Sequence, residues 1–221
     1  MRRLRRPLRA AIGPDAAVAA RLVAVLAEPG CPVCRCLEAE ARRDLAAFLR
    51  EQTMDPAGRA ELRRAGGFCA WHTGLLREAT DGILSVAMLA EDLLGSAPPR
   101  AVACPECAAL RSRADAYLAG LLDAGRSPAL RAALDAGPGV PCRPHLRGVR
   151  ALAPSDPRVP ALEQAIAPRL ARLGTALSAF IAKQDYRSRV TPSTEEARAW
   201  SEALEHLAGR PGLFGSELAR S

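Results

Sequence analysis

The sequence predicts an all-α fold on three observations. Apolar residues make up 49% of the 221-residue chain but aromatics only 4%. The core must therefore be built from Leu, Ala, Val and Ile, a composition that suits packed helices better than strands. Apolar positions recur at helical spacing along most of the chain, and no segment alternates with period two. The chain also repeats itself at an offset of 73 residues: Cys31, Cys34, Cys69 and His72 map without a gap onto Cys104, Cys107, Cys142 and His145.

The elements follow in order. A first helix over about 15–28 places Val18, Leu22, Val25 and Leu26 on one side. The Cys-Pro-Val-Cys turn at 31–34 opens a helix to about 53, which Met54-Asp55-Pro56 ends. A short helix runs to about 64, Gly66-Gly67 turns the chain, and Phe68-Cys69-Ala70-Trp71-His72 begins a helix to about 79. Another helix covers about 82–95, and Pro98-Pro99 separates the copies. The second copy repeats the order, with Cys-Pro-Glu-Cys at 104–107, a helix to about 124, a short helix at 127–135, a Gly-Pro-Gly turn and Pro-Cys-Arg-Pro-His-Leu. In the first long helix of each copy, Leu37, Ala41, Leu45 and Leu49 correspond to Leu110, Ala114, Leu118 and Leu122, a stripe stepping by four on one helix face. Leu162, Ile166, Leu170, Leu173, Leu177, Phe180 and Ile181 then predict one long helix over about 159–186. A last helix at about 193–208 presents Trp200, Leu204 and Leu207. The expected organisation is a duplicated, zinc-stapled helical repeat: a basic tail and N-terminal helix (1–30), two Cys3His repeats (31–103 and 104–176), and a C-terminal helical extension (177–221) packed on the same domain.

The cysteines and histidines point to metal. In Cys-x-x-Cys the backbone folds back so that two sulfurs converge, and the proline in both copies fixes that turn. In Cys-x-x-His on a helix the two ligands lie at i and i+3 on one face. Together they supply the four thiolate and imidazole ligands that tetrahedral zinc prefers. Taken copy by copy, the expected sets are Cys31/Cys34/Cys69/His72 and Cys104/Cys107/Cys142/His145, two zinc ions in all. Four protein ligands leave no position for water or substrate, so the metal is expected to be structural. Metal-free redox dithiols are the alternative, but they leave the paired Cys-x-x-His motifs unexplained, and no thioredoxin-like βαβ frame accompanies them. An iron–sulfur cluster does not ordinarily need the histidine. Cys36, whose counterpart is Ala109, is either a spare buried thiol or a group that competes for the metal on oxidation. Phe68 and Trp71 flank ligands of the first set and are expected to shield its metal. His206 reads as a helix-end histidine.

The net charge of +7 comes mostly from Arg2, Arg3, Arg5, Arg6 and Arg9, which leave +2 for the rest of the chain. Two sites of three thiolates and one Zn²⁺ bring that remainder to about neutral. Nucleic acid is thereby disfavoured as a partner, except through the Arg-rich start. The start lacks a small-residue cleavage site, and no apolar run is long enough to span a membrane. A cytoplasmic location is expected, where seven cysteines serve as ligands or redox groups rather than disulfides.

The paired Cys-Pro-x-Cys … Phe-Cys-x-x-His pattern is followed by Lys183-Gln184-Asp185-Tyr186-Arg187 and by the helix containing Ala199-Trp200-Ser201-Glu202-Ala203. Over roughly residues 20–210 this resembles an uncharacterised prokaryotic family, a domain of unknown function. The resemblance implies a helical protein with paired metal motifs and no established activity. The chain departs from the pattern at Pro141, where the second copy lacks an aromatic before Cys142. No phosphate loop, nucleophile elbow or spaced carboxylate pair is present. The expectation is a non-enzymatic zinc-binding helical protein, a binding or adaptor module for a protein partner. A thiol-based redox or zinc sensor is the alternative, and nucleic-acid binding through the Arg-rich start a weaker one.

Overall fold

Proline in the first turn, where its missing N–H would have no helical partner anyway, starts five of the helices among the described residues. The computed structural model describes residues 16–78, 82–96, 104–185, 187 and 189–213. The Arg-rich start, Pro98-Pro99 and Tyr186 lie outside them. The described chain is all-α: α1 (Ala16–Leu26), α2 (Pro32–Glu51), α3 (Pro56–Ala65), α4 (Ala70–Glu78), α5 (Ile83–Leu94), α6 (Pro105–Leu122), a 3-10 turn (Asp123–Arg126), α7 (Pro128–Ala136), α8 (Arg143–Leu152), α9 (Arg158–Lys183) and α10 (Thr194–Ala208). Helices α2 and α6 start 73 residues apart, as do α4 and α8. No helix among the described residues is long and apolar enough to cross a membrane.

Helices α2 and α6 form the spine. The expected stripe is inside: Leu37, Ala41, Leu45 and Leu49 are buried on α2, and Leu110, Leu118 and Leu122 on α6, with Ala114 packed against them. Between the two helices Tyr117 Oη donates to Glu40 Oε1 at 2.5 Å, and Arg113 pairs with Asp44. As residue numbers rise on α2 they fall on α6, so the helices run antiparallel. Arg113 is the repeat counterpart of Glu40 and Tyr117 that of Asp44. The two contacts are thus the same pair of positions seen from either copy, and a local pseudo-twofold axis crosses the spine between them.

Glu40 is only 3% exposed. It is held by Tyr117, by Arg21 from α1, and by Arg113 Nε at 3.5 Å. A buried carboxylate is tolerated only with such partners, and this one ties three helices together.

Helix α4 lies antiparallel on α2. Phe68, just before α4, meets Phe48 near the end of α2 edge-on, with ring centroids 5.4 Å apart, while Glu78 at the end of α4 pairs with Arg42 at 2.7 Å. Helix α8 packs on α6, and α1 fills the angle between α2, α6 and α7. The long stripe on α9 is buried at Leu162 and Ile166 but emerges at Ile181.

The last helix turns its small face inward. Trp200, Leu204 and Leu207, the apolar positions legible in the sequence, are 51%, 57% and 45% exposed, and Ala199 is the buried one. Ala199 and Ala176 let α10 and α9 approach closely. Ser193 and Glu196 form a reciprocal capping box at the start of α10, and Lys183 binds Glu196 at 2.5 Å.

Candidate metal centres

Each Cys/His ligand pair sits at a helix start. Cys31 and Cys104 are the N-cap residues of α2 and α6, with Cys34 and Cys107 one turn on; Cys142 caps α8 and Cys69 precedes α4, with His145 and His72 one turn inside. Helix N-termini present free N–H groups and a partial positive charge, which favours thiolate.

All eight residues converge, in two groups of four: Cys31/Cys34/Cys142/His145 and Cys69/His72/Cys104/Cys107, with ligand atoms in each group within 4.8 Å of one another. The copy-by-copy sets expected from the sequence do not form. Each Cys-Pro-x-Cys turn instead meets the Cys-x-x-His of the other copy. The reason is the antiparallel packing within each copy. Helix α4 begins beside Phe48, and the run of α2 from Cys34 to Phe48 covers about 21 Å at 1.5 Å per residue. Cys69 and His72 therefore lie a helix length away from Cys31 and Cys34. Helices α2 and α6 being antiparallel, that far end is where α6 begins, with Cys104 and Cys107. The pseudo-twofold axis does the same at the other end of the spine.

In the first cluster Cys34 Sγ and Cys142 Sγ are 3.8 Å apart, and His145 Nδ1 lies 3.4, 3.5 and 3.2 Å from the sulfurs of Cys31, Cys34 and Cys142. In the second, Cys69 Sγ and Cys107 Sγ are 3.6 Å apart, and His72 Nδ1 lies 3.2, 3.5 and 3.6 Å from the sulfurs of Cys69, Cys104 and Cys107. A tetrahedral ion with metal–sulfur bonds of about 2.3 Å and metal–nitrogen bonds of about 2.0–2.1 Å has edges of about 3.8 and 3.5 Å. Both clusters have that size, and both could hold a metal ion.

The thiols divide between low and high proton affinity. Hydrogen bonds with Cys104 and Cys107 bring Cys69 down to about 3, while hydrogen bonds with Cys104 and Cys69 push Cys107 up. In the other cluster, burial pushes Cys31 up, but hydrogen bonds with Cys142, Cys34 and His145 outweigh it and hold it well below the usual thiol range; Cys34 goes up, chiefly through its bond to Cys142. Crowded sulfurs cannot all ionise together without a cation among them, which is the chemistry a divalent metal supplies.

The surroundings differ. The first cluster is wholly buried, whereas Cys69 of the second is half-buried. Phe68 and Trp71 do flank a cluster, but it is the one completed by Cys104 and Cys107. The Trp71 ring lies 4.6 Å from that of His72 and tilted 48° to it, and His72 Nε2 is buried without an acceptor, so no outer hydrogen bond to this nitrogen orients the imidazole. The first cluster is braced by α10: Glu205 accepts the Cys31 N–H at 2.9 Å, and Gly30, at φ +97°, leaves room where a Cβ would meet that carboxylate. The loops before Cys31 and Cys142 are joined by Val140 N–H donating to the Gly30 carbonyl at 3.0 Å. Cys36 belongs to neither cluster and is 3% exposed, and burial pushes its thiol up to about 12. Glu205 carried no signal in the sequence, because it reaches Cys31 across 174 positions.

No family model, curated protein or solved structure matches this chain.

Proposed function

We propose that the protein is a non-enzymatic, zinc-binding helical module, a binding or adaptor protein whose two Cys3His sites are structural. The observation that carries this is the pair of four-ligand clusters with tetrahedral edge lengths. Zinc is the metal that mixed thiolate and imidazole ligands of this number favour, and a filled shell has no vacancy for a substrate. Each zinc joins the first helix of one copy to the third helix of the other. The metals therefore hold the copies to each other rather than stapling each internally, and they compensate for a core poor in aromatics.

None of the seven cysteines forms a disulfide in the described chain, in keeping with a reducing, cytoplasmic setting. The burial of Cys36 supports a structural thiol over a redox trigger. Metal analysis of the full chain, purified without added metal or tag histidines, tests the proposal. Two zinc ions per chain and one thiol titratable in the folded, metal-loaded state after prolonged exposure are expected. A chain without stoichiometric metal would overturn it.

A further inference from the structure

Beside the first cluster, a cavity of about 220 Å³ opens between α9 and α10. Its α9 wall carries Arg169, Arg172 and Leu173, and its α10 wall Glu195, Glu202 and His206. Arg169 is 5% exposed. Its Nη1 donates to the Gly137 carbonyl at 2.7 Å and its Nη2 to the Ala165 carbonyl at 3.3 Å, but its Nε is buried without an acceptor. No carboxylate forms an ion pair with it among the described residues. A buried guanidinium without a direct ion pair is a costly arrangement: burial and the neighbouring Arg172 work against its charge, and Asp135, itself paired with Arg131, favours it only from beyond ion-pair distance. His206 Nδ1 is likewise buried without a partner. Across the cavity Glu195 and Glu202 present carboxylates; Glu202 meets Arg198 Nε of its own helix at 3.6 Å, and burial outweighs that contact and raises its proton affinity.

A small pocket with two guanidinia on one wall and two carboxylates on the other, apolar at Leu173, matches a ligand bearing both charges. We propose that this cavity binds a small zwitterion of the amino-acid class, its carboxylate taken by Arg169 and Arg172 and its ammonium by Glu195 and Glu202. A plain carboxylate would leave Glu195 unanswered and Glu202 with only Arg198 at 3.6 Å, and a plain amine would leave the buried guanidinium unanswered. Gly30 and Val140, whose backbones join the loops of the first cluster, also border the cavity. The ligand would thus sit against that cluster while touching none of its four ligand residues.

The test is calorimetric titration of the full metal-loaded chain with each of the common L-amino acids, and with the matching deaminated acids and decarboxylated amines. At least one amino acid should bind, and both of its truncated analogues should bind about ten- to a hundredfold more weakly, the loss expected for one charge-assisted contact. Arg169→Gln should weaken binding at least as much. Because that buried side chain also caps two carbonyls, Arg172→Gln and Glu202→Gln, at less buried positions, provide the independent check and should each weaken binding without altering metal content. Failure of every amino acid to bind the metal-loaded chain would overturn the proposal. Equal binding of a deaminated acid would overturn the zwitterion assignment. Because metal content is measured on the same samples, failure here is distinct from failure of the zinc proposal.

Discussion

Paired alanine substitutions separate the crossed ligand sets from the copy-by-copy sets, because the two predict opposite metal counts. Cys31 and Cys142 share a cluster. Replacing both should destroy one site and leave Cys69/His72/Cys104/Cys107 complete, with one zinc per chain. Cys31 and Cys69 stand in different clusters, so replacing both leaves two three-ligand remnants and should abolish tight stoichiometric zinc. The geometry sets the margin. Ligand atoms within a cluster lie within 4.8 Å, whereas Cys34 and the start of α4 are separated by about 21 Å of helix. No side-chain rotation closes that gap. At free zinc a thousandfold above its dissociation constant, each site adds about 4 kcal/mol to folding stability, against a typical domain total of about 5–15 kcal/mol. The Cys31/Cys142 variant should remain folded but less stable, and the Cys31/Cys69 variant should lose about twice as much. Elemental mass spectrometry gives the counts, and urea unfolding followed by circular dichroism gives the stabilities. One zinc in the Cys31/Cys69 variant with none in the Cys31/Cys142 variant would refute the crossed pairing.

Three further outcomes follow from the packing. Tyr117→Phe removes the hydroxyl that donates to buried Glu40 at 2.5 Å and should lower unfolding free energy by about 1–3 kcal/mol, seen as a shifted denaturant midpoint; an unchanged midpoint would mean that the arginines alone satisfy Glu40. Gly212 has φ +85° and lies where a Cβ would overlap the Trp71 ring, so Gly212→Ala should cost about 1–3 kcal/mol and alter the tryptophan emission; an unaltered spectrum and midpoint would show that this segment does not seat on Trp71. Asp156 is held at about 2 by the Arg158 side chain and its backbone N–H. Because the folded value is depressed, its stabilising contribution is complete above the unfolded value of about 3.9 and is lost as pH falls through about 2; a carboxyl resonance titrating near 4 in the folded chain would contradict the pairing.

Helix identity, helix ends and the eight candidate ligands belong to the sequence by itself. The stripe from Leu37 to Leu49 and its copy at Leu110 to Leu122, the prolines after Cys31 and Cys104, and the Gly66-Gly67 stop are local signals. Helix initiation and termination depend on neighbours a few residues away, so they survive without knowledge of the fold. The ligand types are equally local, because Cys-x-x-Cys and Cys-x-x-His each make their own two ligands converge. Which pair joins which was decided by the tertiary structure alone. In a duplicated chain the two pairings use the same residue types, and ligand chemistry cannot tell them apart. The choice was made by Glu40 meeting Tyr117 and Asp44 meeting Arg113, which set α2 and α6 antiparallel, and by Phe68 folding back on Phe48. The inward face of α10 was likewise settled by packing. Hydrophobicity favoured Trp200, Leu204 and Leu207, but close approach to α9 required Ala199. The buried Arg169 and the Glu205 brace on Cys31 left no trace in the sequence, since each depends on segments brought together only when the whole chain has folded.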